Sequence, residues 1–367
     1  MQALILAGGE GTRLRPLTST VPKPVVPLVD RPFIVFMLEW LRGHGVDDVV
    51  ISCGFMASGV HNVLGDGSAY GMRLRYVEEP KPLGTGGAVK FAEDLLDERF
   101  LMLNGDVLTD IDLTAQLAQH ERTGARATLA LVPVDDPSAY GLVRRNGDAS
   151  VSEFLEKPSS DQIDTNLVNA GAYVLHRDVL AGIPAGQHVS IERELFPTLV
   201  DDGLYGYEAS GYWLDIGTPE RYLQATYDIL DGAVKTTVTD AYDAAHLSVA
   251  DGAELRGRVV GPALVGPGAR VAAGALVSGR SVLGRGVEVA EGAHVDGSVV
   301  LDGAVVGPHA HLTHCIVGPG ARIGAHTRLG EGVVLGECVT LGADNQLAAG
   351  ARLSPNVSLP DGAIRFS

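Results

Sequence analysis

Between Gly8 and Lys23 the chain reads Gly-Gly-Glu-Gly-Thr-Arg-Leu-Arg-Pro-Leu-Thr-Ser-Thr-Val-Pro-Lys. Glycines let a backbone turn tightly and approach a ligand closely. Arg13, Arg15 and Lys23 are the side chains that grip oxyanions. Such a stretch reads as a cradle for a small anionic ligand. A mononucleotide P-loop would need a Gly-Lys pair, and the chain has none. The dinucleotide fingerprint would need a third glycine where Leu14 stands. Both familiar phosphate loops are therefore excluded. Two aspartates, Asp106 after the apolar run Phe100-Leu101-Met102-Leu103 and Asp215 after Tyr212-Trp213-Leu214, follow predicted strands. Far apart in sequence, they could converge on one hard cation. The residue pattern alone does not single them out from neighbours such as Asp110 and Asp112, which read as plain surface acids.

The elements that must hold these residues change character along the chain. Up to about residue 232, short apolar runs alternate with helical segments. Strands are predicted at 3–7, 49–52, 74–77, 100–103, 127–132 and 171–175. Helices are predicted at 32–41, ended by Gly43 and Gly45, and near 86–96, 113–123, 190–200 and 219–231. This alternation predicts an α/β domain with a mostly parallel sheet covered on both faces. Ligands of such sheets sit beyond the carboxyl ends of the strands, where the glycine loop follows the first one.

Beyond about residue 250 an aliphatic residue recurs every six positions from Val265 to Leu301. The spacing slips to five at Val306 and again at Val317, and otherwise holds at six to Leu359. A hexapeptide repeat is the signature of a parallel β-helix, in which stacked coils share one core. The slips mark bulged corners or small loops. The expected organisation is an α/β domain at 1–232, a linker at 233–250 with a short helical piece, and a β-helix at 251–367.

The 367 residues carry 28 Lys and Arg against 45 Asp and Glu, a net charge of -17. That balance argues against nucleic acid or an anionic membrane as partner. Cys53, Cys315 and Cys338 have no ligand-like spacing and read as inert thiols in a reducing compartment. The short apolar start ends in a glycine turn and reads as a strand rather than a signal, and no run is long enough to span a membrane. A cytoplasmic protein is expected.

The pattern Gly8 to Thr18 followed by Pro22-Lys23-Pro24 resembles the opening motif of the nucleoside-diphosphate-sugar pyrophosphorylases, the sugar-1-phosphate nucleotidyltransferases. The resemblance extends through Leu83-Gly84-Thr85-Gly86-Gly87, Leu103-Asn104-Gly105-Asp106, Tyr140-Gly141, Phe154-Leu155-Glu156-Lys157-Pro158 and Asn169-Ala170-Gly171. Ser190-Ile191-Glu192-Arg193-Glu194, the run Tyr212 to Pro219 and the hexapeptide tail look most like mannose-1-phosphate guanylyltransferases. The resemblance implies a Rossmann-like mixed sheet followed by a left-handed, triangular β-helix. It implies that Ala7, Gly8, Gly9, Gly11, Thr12, Arg13, Glu79, Gly84, Thr85, Asn104 and Gly105 bind the nucleotide. Arg13 and Lys23 would hold the phosphates that leave as pyrophosphate, and Asp106 and Asp215 would hold Mg²⁺. Lys157 would contact the sugar phosphate. Glu156 and Asn169 would take sugar hydroxyls, with Tyr140 and the Gly141 and Gly171 backbones lining the same pocket.

The implied reaction joins a nucleoside triphosphate to a sugar 1-phosphate. Guanine offers two adjacent donors that suit a carboxylate such as Glu79, whereas thymine suits an amide better. GTP with mannose 1-phosphate is thus the expected pair. Glucose 1-phosphate with dTTP or UTP is the first alternative, and a non-catalytic nucleotide-sugar sensor the second. Hexapeptide acyltransferases often use a histidine base, so His309, His311, His314 and His326 raise a weaker alternative of acyl transfer. Open coil ends favour self-association, so a homo-oligomer formed through the β-helix is expected.

Overall fold

A computed structural model describes residues 1–365. It divides into two compact units: Met1–Glu10 with Ile34–Leu214, and Gly11–Phe33 with Asp215 onward.

The first unit is built on a nine-stranded sheet. Gln2–Ala7 lies at its centre, parallel to Asp48–Cys53 on one side and Arg99–Asn104 on the other. Arg73–Glu78 extends the parallel half. The sheet then reverses: Leu167–His176 runs antiparallel to Arg99–Asn104 and to Ala127–Pro133, and Val151–Glu156 is antiparallel to Gly141–Arg145. The sheet is therefore mixed, and the parallel half is the one that carries the glycine loop. Its central strands are fully buried runs such as Ala3, Leu4, Ile5 and Val49, Val50, Ile51. Burial on both faces explains why they read as continuous apolar runs rather than alternating ones.

Helices form at Phe33–Gly43, Ala57–Leu64, Gly84–Phe91 and Leu113–Thr123. The predicted 86–96 helix ends early, and Glu93–Leu95 is a separate 3₁₀ turn. The predicted 190–200 helix opens as a π-helix over Ile191–Leu195 before Phe196–Leu199. Asp112 is no idle surface acid: its side chain caps the 113–123 helix, accepting from Ala115 N–H at 3.0 Å. Asp110 Oδ1 accepts from Tyr212 N–H at 2.7 Å, so it holds the segment leading to Trp213. Cys53 and Cys315 are buried, and burial pushes both thiols up to about 12, so they are inert; Cys338 is exposed.

In the second unit the Pro219–Leu230 helix starts at Thr218 with Pro219 in its first turn, where a missing N–H leaves no bond unmade. The hexapeptide region forms three parallel sheets of seven, seven and six short strands, stacked coil on coil. Its first strand, Leu247–Val249, already pairs with Ala263–Val265. The result is a parallel β-helix with one continuous interior of Val, Leu, Ile and Ala. Val300, not Leu301, fills the interior position between Val295 and Val306. The first short corner thus falls one repeat earlier than expected, at Gly297, whose φ is +50°. The second lies directly over it at His314, φ +46°. His309 and His326 also occupy positive-φ corners, and their rings stack 5.2 Å apart. His314 packs against Tyr227, and His311 lies 4.8 Å from His294. Each of these imidazoles is thus accounted for by coil packing.

Because coils stabilise only their neighbours, the interior aliphatics carry the stability of this unit. Leu335→Ala, at a fully buried position, should lower its unfolding free energy by about 2–5 kcal/mol. Chemical denaturation followed by circular dichroism measures this; an unchanged midpoint would contradict the packing described.

Candidate active site

The site residues fall in both units, and each half has its own geometry. In the first unit the ends of the three central strands bring glycine backbones together. A Cβ on Gly105 would lie 2.5 Å from the Leu6 carbonyl oxygen, and one on Gly54 would lie 2.7 Å from that of Gly8. Only glycine fits at either point. Ala7, Gly8 and Gly9 therefore leave the first strand over a surface stripped of side chains.

Glu79 stands beside this turn: a Cβ on Gly8 would lie 3.0 Å from Glu79 Oε1. The Ser52 hydroxyl donates to Oε1 at 3.0 Å, and Leu83 N–H donates to Oε2 at 3.1 Å. Each oxygen keeps room for a further donor. Gly84, at φ +70°, is pressed against the Val189 carbonyl, and Gly86 N–H donates to it at 2.8 Å. Thr85 does not offer its hydroxyl to solvent. It donates to Glu192 Oε2 at 2.7 Å and accepts from Ile191 N–H at 2.9 Å. The Ser190 hydroxyl donates to the same Glu192 oxygen, also at 2.7 Å. The Thr85 hydroxyl thus spends its donor on Glu192.

Across the sheet, Leu167–His176 breaks register between Asn169 and Tyr173, a bulge that turns side chains toward a site. Asn169 Oδ1 accepts from Gly171 N–H at 3.0 Å, and its Nδ2 donates to the Tyr173 hydroxyl at 2.8 Å. Gly171, at φ +74°, abuts Asn104, whose buried Oδ1 has no partner among the described residues. A Cβ on Gly141 would meet Phe154 at 2.7 Å and Glu156 Oε2 at 3.0 Å. Lys157 is itself at φ +53°, its N–H donating to Tyr140 O at 3.1 Å. The Tyr140 ring stands edge-on to Trp213, whose indole N–H donates to Ala170 O at 2.8 Å. Asn104, Tyr140, Gly141, Glu156, Lys157, Asn169 and Gly171 thus line one neighbourhood. Asp106 follows Gly105 at the mouth of the Arg99–Asn104 strand. Burial raises the Glu156 carboxyl, and the nearby Glu192 charge raises it further, against the opposing pull of Lys157 and Arg193.

Arg13, Lys23 and Asp215 belong to the second unit. Gly11, at φ +62°, starts the 3₁₀ turn Thr12–Leu14 and gives its carbonyl to the Thr18 hydroxyl at 2.7 Å. A Cβ there would lie 3.1 Å from the Lys23 side chain, so the turn and Lys23 are in contact. A Cβ on Gly217 would lie 2.8 Å from Arg13 Nη2 and 3.0 Å from Asp215 Oδ1. Arg13 and Asp215 therefore share the space that this glycine leaves open.

Sequence reading grouped these residues but missed Ser52, Asp110, Tyr173 and Glu192 as the groups that hold them. Glu192 lay inside a noted motif without a role. The others carry no signal in a single sequence, because their bonds depend on strand register.

Residues 2–232 match the family model described as Nucleotidyl transferase. The chain belongs to this family. Residues 259–363 match a second model, described as GMPPB C-terminal domain. The chain is 40% identical to a mannose-1-phosphate guanylyltransferase of Mycobacterium tuberculosis, covering 100% of this chain and 98% of the relative. It is 32% identical to a UTP–glucose-1-phosphate uridylyltransferase of Synechocystis, covering 76% of this chain and 81% of that one. Among solved structures, HddC from Yersinia pseudotuberculosis complexed with GMP-PN is similar, with a TM-score of 0.53 and 28% identity, over 61% of this chain and 97% of that one. No helix among the described residues is long and apolar enough to cross a membrane.

A raised carboxyl has a definite pH signature. The folded state holds the Glu156 proton more tightly than the unfolded chain does, so stability falls as pH rises through the shifted range. Glu156→Gln should raise the melting temperature at neutral pH and leave it unchanged in acid below the usual carboxylate range. Differential scanning fluorimetry across pH tests this; a lower melting temperature at neutral pH would refute the charge crowding.

Proposed function

We propose that this nucleotidyltransferase makes GDP-mannose from GTP and mannose 1-phosphate, releasing pyrophosphate. The observation that carries the reading is likeness to a guanylyltransferase over the whole chain, β-helix included, where the uridylyltransferase likeness covers less. A phosphate oxygen of the sugar 1-phosphate attacks the α-phosphorus of GTP. The new phosphoanhydride bond forms as the bond to the β-phosphate breaks, and pyrophosphate carries away the electron pair. No protein nucleophile is required, so catalysis consists of positioning and charge neutralisation.

The backbones of Ala7, Gly8, Gly9, Gly11 and Thr12 take the nucleotide, together with Gly84, Thr85, Asn104 and Gly105. Glu79, with two oxygens that can each accept once more, takes the guanine N1–H and exocyclic amine. Arg13 and Lys23 hold the β- and γ-phosphates, and Lys157 the sugar phosphate. Glu156 and Asn169 accept sugar hydroxyls, with Tyr140, Gly141 and Gly171 shaping the pocket. The donor set Asp106 and Asp215 suits Mg²⁺, which takes one or two carboxylates and completes its shell with phosphates and water. When bound, that ion supplies charge neutralisation of the triphosphate. We further propose a catalytic domain at 1–232 joined by 233–250 to a β-helix at 251–367, and a cytoplasmic homo-oligomer assembled through the β-helix.

Pyrophosphate release with Mg²⁺ should be measured for GTP, dTTP, UTP and ATP against mannose 1-phosphate and glucose 1-phosphate. GTP with mannose 1-phosphate should be the preferred pair. Preference for UTP or dTTP with glucose 1-phosphate would overturn the substrate assignment while leaving the chemistry. Silence in every combination would favour the sensor reading. Asp106→Asn should cut kcat by about 100-fold or more while the fold survives; wild-type turnover in that variant would sink the metal assignment.

A further inference from the structure

The three faces of the β-helix differ on the outside. On one sheet the outward register runs through Glu254, Arg270 and Glu288; on another it includes His294, His311 and Arg328. Both are polar. On the third sheet the outward register is Leu264, Val282, Val299, Ile316 and Val334. All five are buried, yet none belongs to the interior cluster. This face is therefore covered from outside. The Pro219–Leu230 helix flanks it: the Tyr227 hydroxyl donates to Gly297 O and lies 3.0 Å from His314 Nδ1. Asp231 pairs with Arg280 at 2.8 Å.

The register partner that follows Val334 is Arg352. A guanidinium thus stands where five aliphatic residues precede it. Its Nη1 donates to the Arg13 carbonyl at 3.1 Å and approaches that of Arg15 at 3.5 Å. Its Nη2 reaches Glu220 Oε1 at 3.4 Å. Glu220 lies in the first helical turn after Asp215. One planar group therefore ties the backbone at Arg13 to the segment that carries Asp215, and the Arg13 guanidinium and Asp215 Oδ1 both border the space beside Gly217.

We infer that Arg352 is a positioning residue for nucleotidyl transfer, through which the β-helix fixes the Arg13 turn. The inference rests on the phosphate role proposed for Arg13. An exposed ion pair with Glu220 alone would contribute little. Charge-assisted bonds to loop carbonyls do more, because they restrain the backbone that aims the catalytic cation.

The test uses full-length Arg352→Ala, Arg352→Lys and Glu220→Gln, with both substrates varied in initial-rate assays on the pair the wild type prefers. Arg352→Ala should lower kcat/KM for the nucleotide about tenfold and leave KM for the sugar 1-phosphate unchanged. Arg352→Lys should recover part of the loss, because an ammonium can reach one carbonyl at a time. Glu220→Gln should fall between the wild type and Arg352→Ala. Melting temperatures should match the wild type, since the side chain is substantially exposed. Nucleotide kinetics within about twofold of wild type in Arg352→Ala, or equal losses for both substrates, would overturn the inference. So would a loss seen only together with a lowered melting temperature. A wild-type preference for another substrate pair would overturn the proposed function alone. Should the wild type turn over no pair, titration calorimetry with GTP decides: equal affinity in wild type and Arg352→Ala overturns the inference, and weaker binding in the variant supports it.

Discussion

Backbone crowding at the ends of the central parallel strands is the constraint on which the rest depends. Gly8, Gly54 and Gly105 meet where three strands finish, and no Cβ fits at Gly54 or Gly105. With no side chain at these glycines, backbone N–H groups and carbonyls line the space there beside the Glu79 carboxylate. A ligand in that space must be recognised by backbone first.

The same constraint explains how much could be read from the sequence. The parallel strands were legible as apolar runs because both of their faces are buried. The glycine loop was legible because only glycine tolerates the contacts it makes. The antiparallel half was less so: 141–145, 151–156 and 204–208 gave no strand expectation, yet they carry or frame Gly141 and Glu156. Their side chains mix polar and apolar types because Arg144 pairs with Glu153 and Asp164, and Arg145 with Glu208, on the solvent side. The bulge after Asn169 and the π-helix at Ile191 depend on partners far along the chain. No local pattern announces them. Thr85 illustrates the limit best. Nothing in its motif shows that its hydroxyl bonds Glu192 and the backbone of Ile191.

In the β-helix the six-residue period revealed the interior and concealed the exterior. A search for the recurring aliphatic finds the inward column, which every coil needs. The residue just before it points outward and varies from face to face. On one face it is aliphatic and buried, coil after coil, which marks a docking side in the sequence once the register is known. Leu301 shows the same effect in miniature: it is aliphatic, so the count accepted it, but Val300 fills the interior. A five-residue corner at Gly297 cannot be located by counting aliphatics when two stand side by side.

Charge completes the account. A chain with a net charge of -17 must gather anionic substrates, and it does so by local arrangement rather than by its overall field. Around Glu156 it accepts a further local penalty. A half-buried carboxylate beside Glu192 is disfavoured by lost hydration and by repulsion, which is why its proton is held more tightly. Glu192 already accepts from the Thr85 and Ser190 hydroxyls, so donors within the protein support its charge and the cost of the crowding falls on Glu156.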